Sequence, residues 1–355
     1  HHMKQTQLHP PLIGILADDL TSAADGSAPF QQTGLSVTVT RGALGVLPSP
    51  SEVWSVDCAT RSLSAGAAAN MTAQATQAIA NVPVLYKTID STLRGHIKAE
   101  IGAAFRASRR QHLVVAPAFP DAGRVTAGGI QYVNGVPVCQ SSYTHDPAHP
   151  ATTSRIADLL PSTIADVTIM DAITQKELNQ KVAEVQTIES TLWVGSPGMA
   201  IALANRFAKV RSYEFALPDC ASILIVVGSA NPVSRRQLTR VMQHRPQTTC
   251  LIVPSDRTTT SAQALSDLME QAMGHFRECD TLIATGGDTM EALLNRLCIR
   301  QFSLIGELER GFPLASATLP DGKAITLGMK AGGFGDDATL LRAVDGLSAG
   351  TQKAI

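Results

Sequence analysis

Short apolar runs alternate with longer alanine-rich stretches along almost the whole chain, and that rhythm constrains the fold more than any other feature. Leu12–Ala17, Val53–Asp57, Val84–Ile89, Leu113–Ala116, Val167–Met170 and Leu192–Val194 read as strands. Between them, stretches such as Ser64–Ala80 and His96–Ser108 place apolar residues at helical spacing. Such alternation predicts parallel sheets covered by helices. A second series follows Pro218, with strands at Ile223–Val227, Cys250–Val253, Leu282–Ala284 and Ala324–Leu327 and helices near Ser234–His244, Ala262–Phe276 and Thr289–Leu297. The stretch Val210–Ser222 contains Pro218, has no clear period and reads as a linker. The expected fold class is therefore α/β with two domains, 4–218 and 219–355, each a mostly parallel sheet covered by helices. One segment breaks the rhythm: Asn134-Gly135, between Tyr-Val and Val-Pro-Val, predicts a hairpin.

Charge narrows the choice of partners. With 29 basic and 30 acidic residues, no basic surplus points to nucleic acid or to an anionic membrane. The longest apolar runs, such as Ile223–Val227, are far too short to span a bilayer. His1-His2-Met3 reads as a tag remnant, and no charged segment with an apolar core follows it, so no secretory signal is expected. Six scattered cysteines without paired spacing suit reduced, mostly buried thiols in a cytoplasmic protein, and they argue against a cysteine-based metal site.

Several strand ends carry chemistry. Asp18-Asp19 closes the first apolar run and precedes Thr21, which aims carboxylates at the rim of a sheet, where α/β proteins keep ligands. Neighbours on a strand point to opposite faces, so one of the two carboxylates is expected to face the ligand. Its work would be to take a proton from a hydroxyl or to bind a polyol. The plainer alternative is that Asp19 or Thr21 caps the following helix. Lys87-Thr-Ile-Asp-Ser-Thr-Leu-Arg-Gly95 gathers Lys87, Asp90, Ser91, Thr92 and Arg94 at a strand-to-helix turn. Arginine grips a carboxylate through two bonds, lysine supplies a point charge, and a helix N-terminus at Ser91 and Thr92 would favour anions. The plainer alternative there is a capped helix with Arg94 paired to Glu100. Ala116-Pro-Ala-Phe-Pro-Asp-Ala-Gly-Arg124 is a loop after a strand that ends in an arginine.

In the second half, Gly228-Ser229 ends a strand, Thr285-Gly-Gly-Asp-Thr289 opens a helix, and Lys330-Ala-Gly-Gly-Phe-Gly335 forms another glycine turn. The amides of Gly286 and Gly287 would cradle phosphate, Asp288 would hold Mg2+ directly or through water, and Thr289 would cap the helix. Two glycine turns in one small domain suggest that something packs against their backbones. The usual P-loop and dinucleotide fingerprints are missing from the sequence. His145 and His149, in a proline-interrupted segment, read as a solvated loop rather than metal ligands.

In order and wording these blocks resemble the four-carbon acid sugar kinases. The matching segments are Ala17–Thr21, Lys87–Gly95, Pro117–Arg124 with Gly135, Gly228-Ser229, Gly286–Thr289, Gly306-Glu307 with Gly311, and Lys330–Gly335, which together span nearly the whole chain. The resemblance implies an N-terminal acid-sugar domain and a C-terminal nucleotide domain, with ATP-dependent phosphorylation of a tetronate on its terminal hydroxyl. D-threonate is the first expectation; L-threonate, D-erythronate, a 3-oxo-tetronate, or a non-catalytic sugar-acid sensor are the alternatives. Carried onto this sequence, Asp18, Asp19, Arg61, Lys87, Asp90, Ser91, Thr92 and Arg94 would hold the acid sugar. Asp18 or Asp90 would take or orient the proton, Arg61 and Arg94 would hold the substrate carboxylate, and Lys87 would serve that carboxylate or the developing phosphate charge. Ser229, Gly286, Gly287, Asp288, Thr289, Lys330, Gly332 and Gly333 would hold ATP, with Mg2+ at Asp288. A homodimer is compatible with exposed sheet edges. The chain departs from the family pattern in a short segment between Ser229 and Gly286 and in Arg310, where proline is expected; both bear on adenine recognition.

Overall fold

The computed structural model describes residues 11–42, 50–210, 215–218, 220–254 and 261–352. His1–Met3 and parts of the 210–222 and 229–286 stretches lie outside the described residues. The chain divides into two compact units, His1–Tyr213 and Glu214–Ile355.

The first unit contains strands β1 (Ile13–Ala17), β2 (Val37–Arg41), β3 (Val53–Asp57), β4 (Val84–Thr88), β5 (His112–Ala116), β6 (Arg124–Ala127), β7 (Ile130–Val133), β8 (Val136–Pro137), β9 (Val167–Ile169) and β10 (Thr191–Gly195). Its helices are α1 (Leu20–Asp25), α2 (Ala28–Gln32), α3 (Ala65–Ile79), α4 (Ile97–Ser108), α5 (Gln175–Glu184) and α6 (Pro197–Arg206). Seven strands pair in the order β2-β3-β1-β4-β10-β5-β9, and every pairing is parallel. Parallel strands need both faces covered, which is why β1, β3, β4 and β10 are buried along their whole length. One face packs Leu16, Leu85, Leu113 and Leu192 against Ile79 of α3 and Ile97 and Ile101 of α4. The chain passes from β3, on one side of β1, to β4 on the other. The crevice between β1 and β4 is thus a switch point, where such sheets bind ligands beyond the carboxyl ends of their strands.

β6, β7 and β8 form a separate antiparallel sheet. Asn134 and Gly135 both take positive φ between β7 and β8, the backbone that a tight hairpin requires.

The second unit contains β11 (Ile223–Val227), β12 (Thr249–Ile252), β13 (Thr281–Thr285), β14 (Gln301–Glu309), β15 (Phe312–Thr318) and β16 (Ala324–Lys330). Its helices are α7 (Pro232–His244), α8 (Ser261–Phe276), α9 (Gly287–Arg296) and α10 (Thr339–Gln352). β12, β11, β13 and β16 are parallel neighbours, and β15 and β14 extend the sheet antiparallel. The antiparallel pair is absent from the sequence reading. Its turn at Arg310-Gly311 follows a charged stretch, Glu307-Leu-Glu309, and the bulges in β14 interrupt the two-residue alternation that would reveal a strand. Gly306 is pressed against the ring of Phe215, and Gly311 against Phe334, so both glycines serve packing.

All six cysteines are free; Cys58, Cys220 and Cys279 are buried, whereas Cys139 and Cys298 are exposed. Among the described residues, no helix is long and apolar enough to cross a membrane.

Candidate active site

In the first unit, side chains from the carboxyl ends of β1, β3 and β4 meet. β1 stops at Ala17, so Asp18 and Asp19 leave the pleat, and strand alternation does not govern them. Both carboxylates turn to one guanidinium: Arg61 Nε lies 3.2 Å from Asp18 Oδ2, and its Nη1 lies 3.1 Å from Asp19 Oδ2. This corrects the expectation that the two would point to opposite faces. Asp19 also caps α1, its Oδ1 accepting from the Ser22 amide at 2.8 Å. Burial, reinforced by the neighbouring Asp18 charge, raises the Asp19 carboxyl above the usual range, while Arg61 and the Ser22 amide pull it back. Burial opposes the Arg61 charge, yet Asp18, Asp19 and Asp90 together hold that guanidinium above its ordinary value.

Gly95 has φ +101°, and a β-carbon placed there would lie 3.8 Å from Asp18 Oδ2, so bare backbone faces the carboxylate. Leu93 also has positive φ, at 58°. With two such residues the turn does not become helix, and α4 starts only at Ile97. Ser91 and Thr92 consequently sit in a buried turn rather than at the expected helix N-terminus.

Lys87 is almost wholly buried. Its Nζ donates to the Thr88 carbonyl at 2.5 Å and lies 3.2 Å from Glu100 Oε1, which also accepts from Thr60 Oγ1. Burial disfavours the ammonium, but Glu100, followed by Asp18, raises it above its ordinary value. Glu100 is thus taken by Lys87, and Arg94 pairs elsewhere: its Nε lies 2.7 Å from Asp90 Oδ2 and its Nη1 2.7 Å from Asp146 Oδ2. Asp90 Oδ2 accepts from Thr92 Oγ1 at 2.5 Å as well. Burial alone would raise the Asp90 carboxyl; bonds from Arg94 and Thr92 outweigh it and hold the group low.

The segment between Ser141 and His149 exposes His145 to solvent, as expected of a loop, but Asp146 and His149 tie it to this cluster. Asp146 accepts from Arg94 and from the His149 amide, and His149 Nε2 lies 2.6 Å from the Arg61 carbonyl oxygen. His149 and His96 meet edge to face, with ring centroids 4.9 Å apart. The Arg94 guanidinium lies 4.8 Å from the Tyr143 ring centroid, and that of Arg124 lies 5.9 Å from it. Gln131, fully buried on β7, donates from Nε2 to the Ser91 carbonyl at 2.9 Å and to the Pro117 carbonyl at 3.0 Å. Gln131, Tyr143, Asp146, His149 and the Lys87 partner Glu100 were not found from sequence. The one local signal was Asp146-Pro-Ala-His149, whose aspartate caps the amides that follow it.

In the second unit, three neighbouring strands end in glycine-bearing turns. Gly228 after β11 has no room for a β-carbon because Thr289 fills the space, so its close approach serves packing. Ser229 Oγ accepts from the Asn231 amide at 3.0 Å, and Asn231 caps α7. Gly286 (φ +91°) precedes α9 and, lacking a side chain, leaves that helix without a side-chain cap. Thr289 lies in the first turn and packs on Gly228 instead of capping. A β-carbon on Gly332 would lie 3.5 Å from Ser229 Oγ and 4.0 Å from Gly286 Cα, so the three turns converge. A β-carbon on Gly333 would lie 2.9 Å from Asn231 Nδ2. Asp288 is exposed at the start of α9. Lys330 is buried, with no carboxylate partner among the described residues. Its Nζ donates to the Ala331 carbonyl at 2.7 Å and to the Gly332 carbonyl at 3.0 Å, and burial pushes it down to about 8. A first turn of amides without a side-chain cap, beside a buried ammonium with no carboxylate partner among the described residues, is suited to a polyanion.

Residues 13–166 match a family described as the sugar-binding N-terminal domain, and residues 255–340 one described as the nucleotide-binding C-terminal domain. The chain is 30% identical to a D-threonate kinase of Cupriavidus necator over 93% of this chain and 96% of that protein. It is 29% identical to a D-threonate kinase of Bordetella bronchiseptica over 95% of this chain and 98% of that protein. A crystal structure of a Haemophilus influenzae protein shares the fold, with a TM-score of 0.76 and 17% identity over 94% of this chain and all of that one.

Proposed function

Because the chain belongs to the four-carbon acid sugar kinase family and is a phosphotransferase acting on an alcohol group, we propose that it uses ATP to phosphorylate the terminal 4-hydroxyl of a tetronate, D-threonate first among them. The observation that carries the ATP requirement is the convergence of Ser229, Gly286 and Gly332 beside Lys330, a buried lysine with no counter-charge among the described residues. In this reading residues 4–218 take the acid sugar and 219–355 the nucleotide.

Asp18 is the residue that accepts or orients the hydroxyl proton. Asp90 is the poorer base, since Arg94 and Thr92 already occupy its Oδ2 and hold its carboxyl low. Arg61 fixes the Asp18–Asp19 pair, and the bare backbone of Gly95 leaves room for a polyol against Asp18. Phosphoryl transfer demands positioning and charge neutralisation more than a strong base. Lys87, Ser91, Thr92 and Arg94 supply that positioning around the sugar. On the nucleotide side, Gly286, Gly287, Thr289, Gly332, Gly333 and Ser229 bind the phosphates, with Lys330 behind the turn.

Mg2+ fits this donor set as a companion of the nucleotide. Among the described residues no group of three or more His, Cys, Asp or Glu side chains could hold a metal alone, whereas Mg2+ bound through phosphates needs only one or two carboxylates. Asp288, exposed at the start of α9, is the carboxylate that would hold it, and the ion would neutralise charge on the nucleotide's phosphate oxygens.

The test is coupled ADP release with Mg2+-ATP across D-threonate, L-threonate, D-erythronate and a 3-oxo-tetronate. Turnover on D-threonate above the others supports the reading, and preference for another tetronate reassigns the substrate. Absence of turnover on all four, with no ATP-dependent rise in melting temperature, would overturn it.

A further inference from the structure

The cations around the sugar site are not equally available. Arg61 is held by Asp18 and Asp19, Lys87 by Glu100, and Arg94 by Asp90 and Asp146. An incoming carboxylate would have to compete with a protein carboxylate already in place at each of them. Arg124 is different. It opens β6, directly after the loop that leaves β5, and its backbone is fixed by paired bonds with Phe119: N–H to O at 3.1 Å and the reverse at 2.7 Å. Its Nη2 donates to the Tyr143 hydroxyl at 3.0 Å, its guanidinium lies by the Tyr143 ring, and its Nε is buried with no acceptor among the described residues. No carboxylate among the described residues lies within ion-pair distance of it. A buried guanidinium N–H without an acceptor carries a desolvation cost that a bound anion would remove. The Tyr143 ring also receives Arg94, which places Arg124 at the edge of the sugar site rather than in a separate pocket.

We propose that Arg124, seated on Tyr143, binds the substrate's carboxylate and so makes the site select an acid sugar over the corresponding neutral polyol. This rests on the kinase reading above. The planar guanidinium offers a fork that a carboxylate fills with two parallel bonds, and Tyr143 holds its orientation. Arg61 and Arg94 then serve to set Asp18, Asp19 and Asp90, not to grip the acid.

The experiment compares kcat/KM for the best tetronate with kcat/KM for threitol, which has the same four carbons and no carboxylate, in the wild-type enzyme, R124Q and R124K. The expected result is a rise in KM for the tetronate of roughly a hundredfold in R124Q, with the tetronate-to-threitol preference collapsing by a similar factor. R124K, which keeps the charge but not the fork, is expected to regain part of the loss and leave KM for the tetronate roughly tenfold above wild type. Should R124Q not fold, a tenfold rise in KM for R124K, at a wild-type melting temperature, supports the same conclusion. An unchanged tetronate KM in a folded variant, or an equal loss on tetronate and threitol, overturns the role of Arg124 while leaving the kinase standing. A wild-type enzyme that turns over no four-carbon acid sugar removes the kinase reading and this inference together.

Discussion

Lys87 Nζ and Glu100 Oε1 lie 3.2 Å apart, with both side chains almost wholly withdrawn from solvent. Breaking a buried pair leaves a lone buried charge and costs about 3–5 kcal/mol, whereas replacing both partners with apolar groups is often near neutral. K87M is therefore expected to lower unfolding stability by about that amount, and K87M/E100L to regain most of it without regaining turnover. Urea unfolding and an ADP-release assay on the same samples check this. A double variant that recovers activity would show Lys87 to be purely structural.

D18N is expected to reduce kcat by about a hundredfold to ten-thousandfold, with KM for ATP unchanged, because the carboxylate acts on the sugar hydroxyl. D90N should fall less in kcat and more in sugar affinity, since Arg94 would lose one of its two carboxylate anchors and keep only Asp146. Steady-state kinetics with each substrate varied in turn separates the two. Equal kcat losses in both variants would count against the assignment.

Lys330 titrates at about 8, below its ordinary 10.5, because of burial. The unfolded chain therefore holds this proton more tightly. Lys330 costs stability below about pH 8, and that cost fades as pH rises toward 10.5. A bound polyanion should raise the value again, so nucleotide binding near pH 8 should take up a fraction of a proton. Calorimetry in two buffers of different ionisation enthalpy measures it. The uptake should vanish in K330M; persistence there would assign the proton to another group.

Thr289 occupies the space that a β-carbon on Gly228 would need. G228A is expected to destabilise by about 1–3 kcal/mol through overpacking, and G228A/T289G to recover part of that loss despite the weaker helix. Thermal melts of the variants decide it, and an unaffected G228A would show that the second unit yields at this contact.

Local pattern made the parallel cores legible, because a strand buried on both faces must be short and apolar and its crossover helix must be amphipathic. The same reasoning located the Asn134-Gly135 hairpin, whose backbone demand is local. It failed at Asp18 and Asp19, where the pleat has ended, and at Ser91 and Thr92, where Leu93 and Gly95 divert the chain from helix. It could not find Glu100 beneath Lys87, Asp146 beside Arg94 or His149 against the Arg61 carbonyl. Those partners come from separate elements, and no local period encodes which side chains of two elements will meet. The glycines were legible as close approaches, but not what approaches them: for Gly228 and Gly311 it is Thr289 and Phe334.

The Gln131 amide joins the carbonyls of Ser91 and Pro117, while its oxygen accepts from Thr126. Two turns that leave different strands are therefore sutured through a hairpin that belongs to neither. Excising that hairpin would spare the seven-stranded sheet and still rewire the sugar site, because Ser91 would keep a sequestered oxygen and lose its donor. In a lineage of related chains, the hairpin and the Lys87–Gly95 turn should accordingly be inherited as one piece.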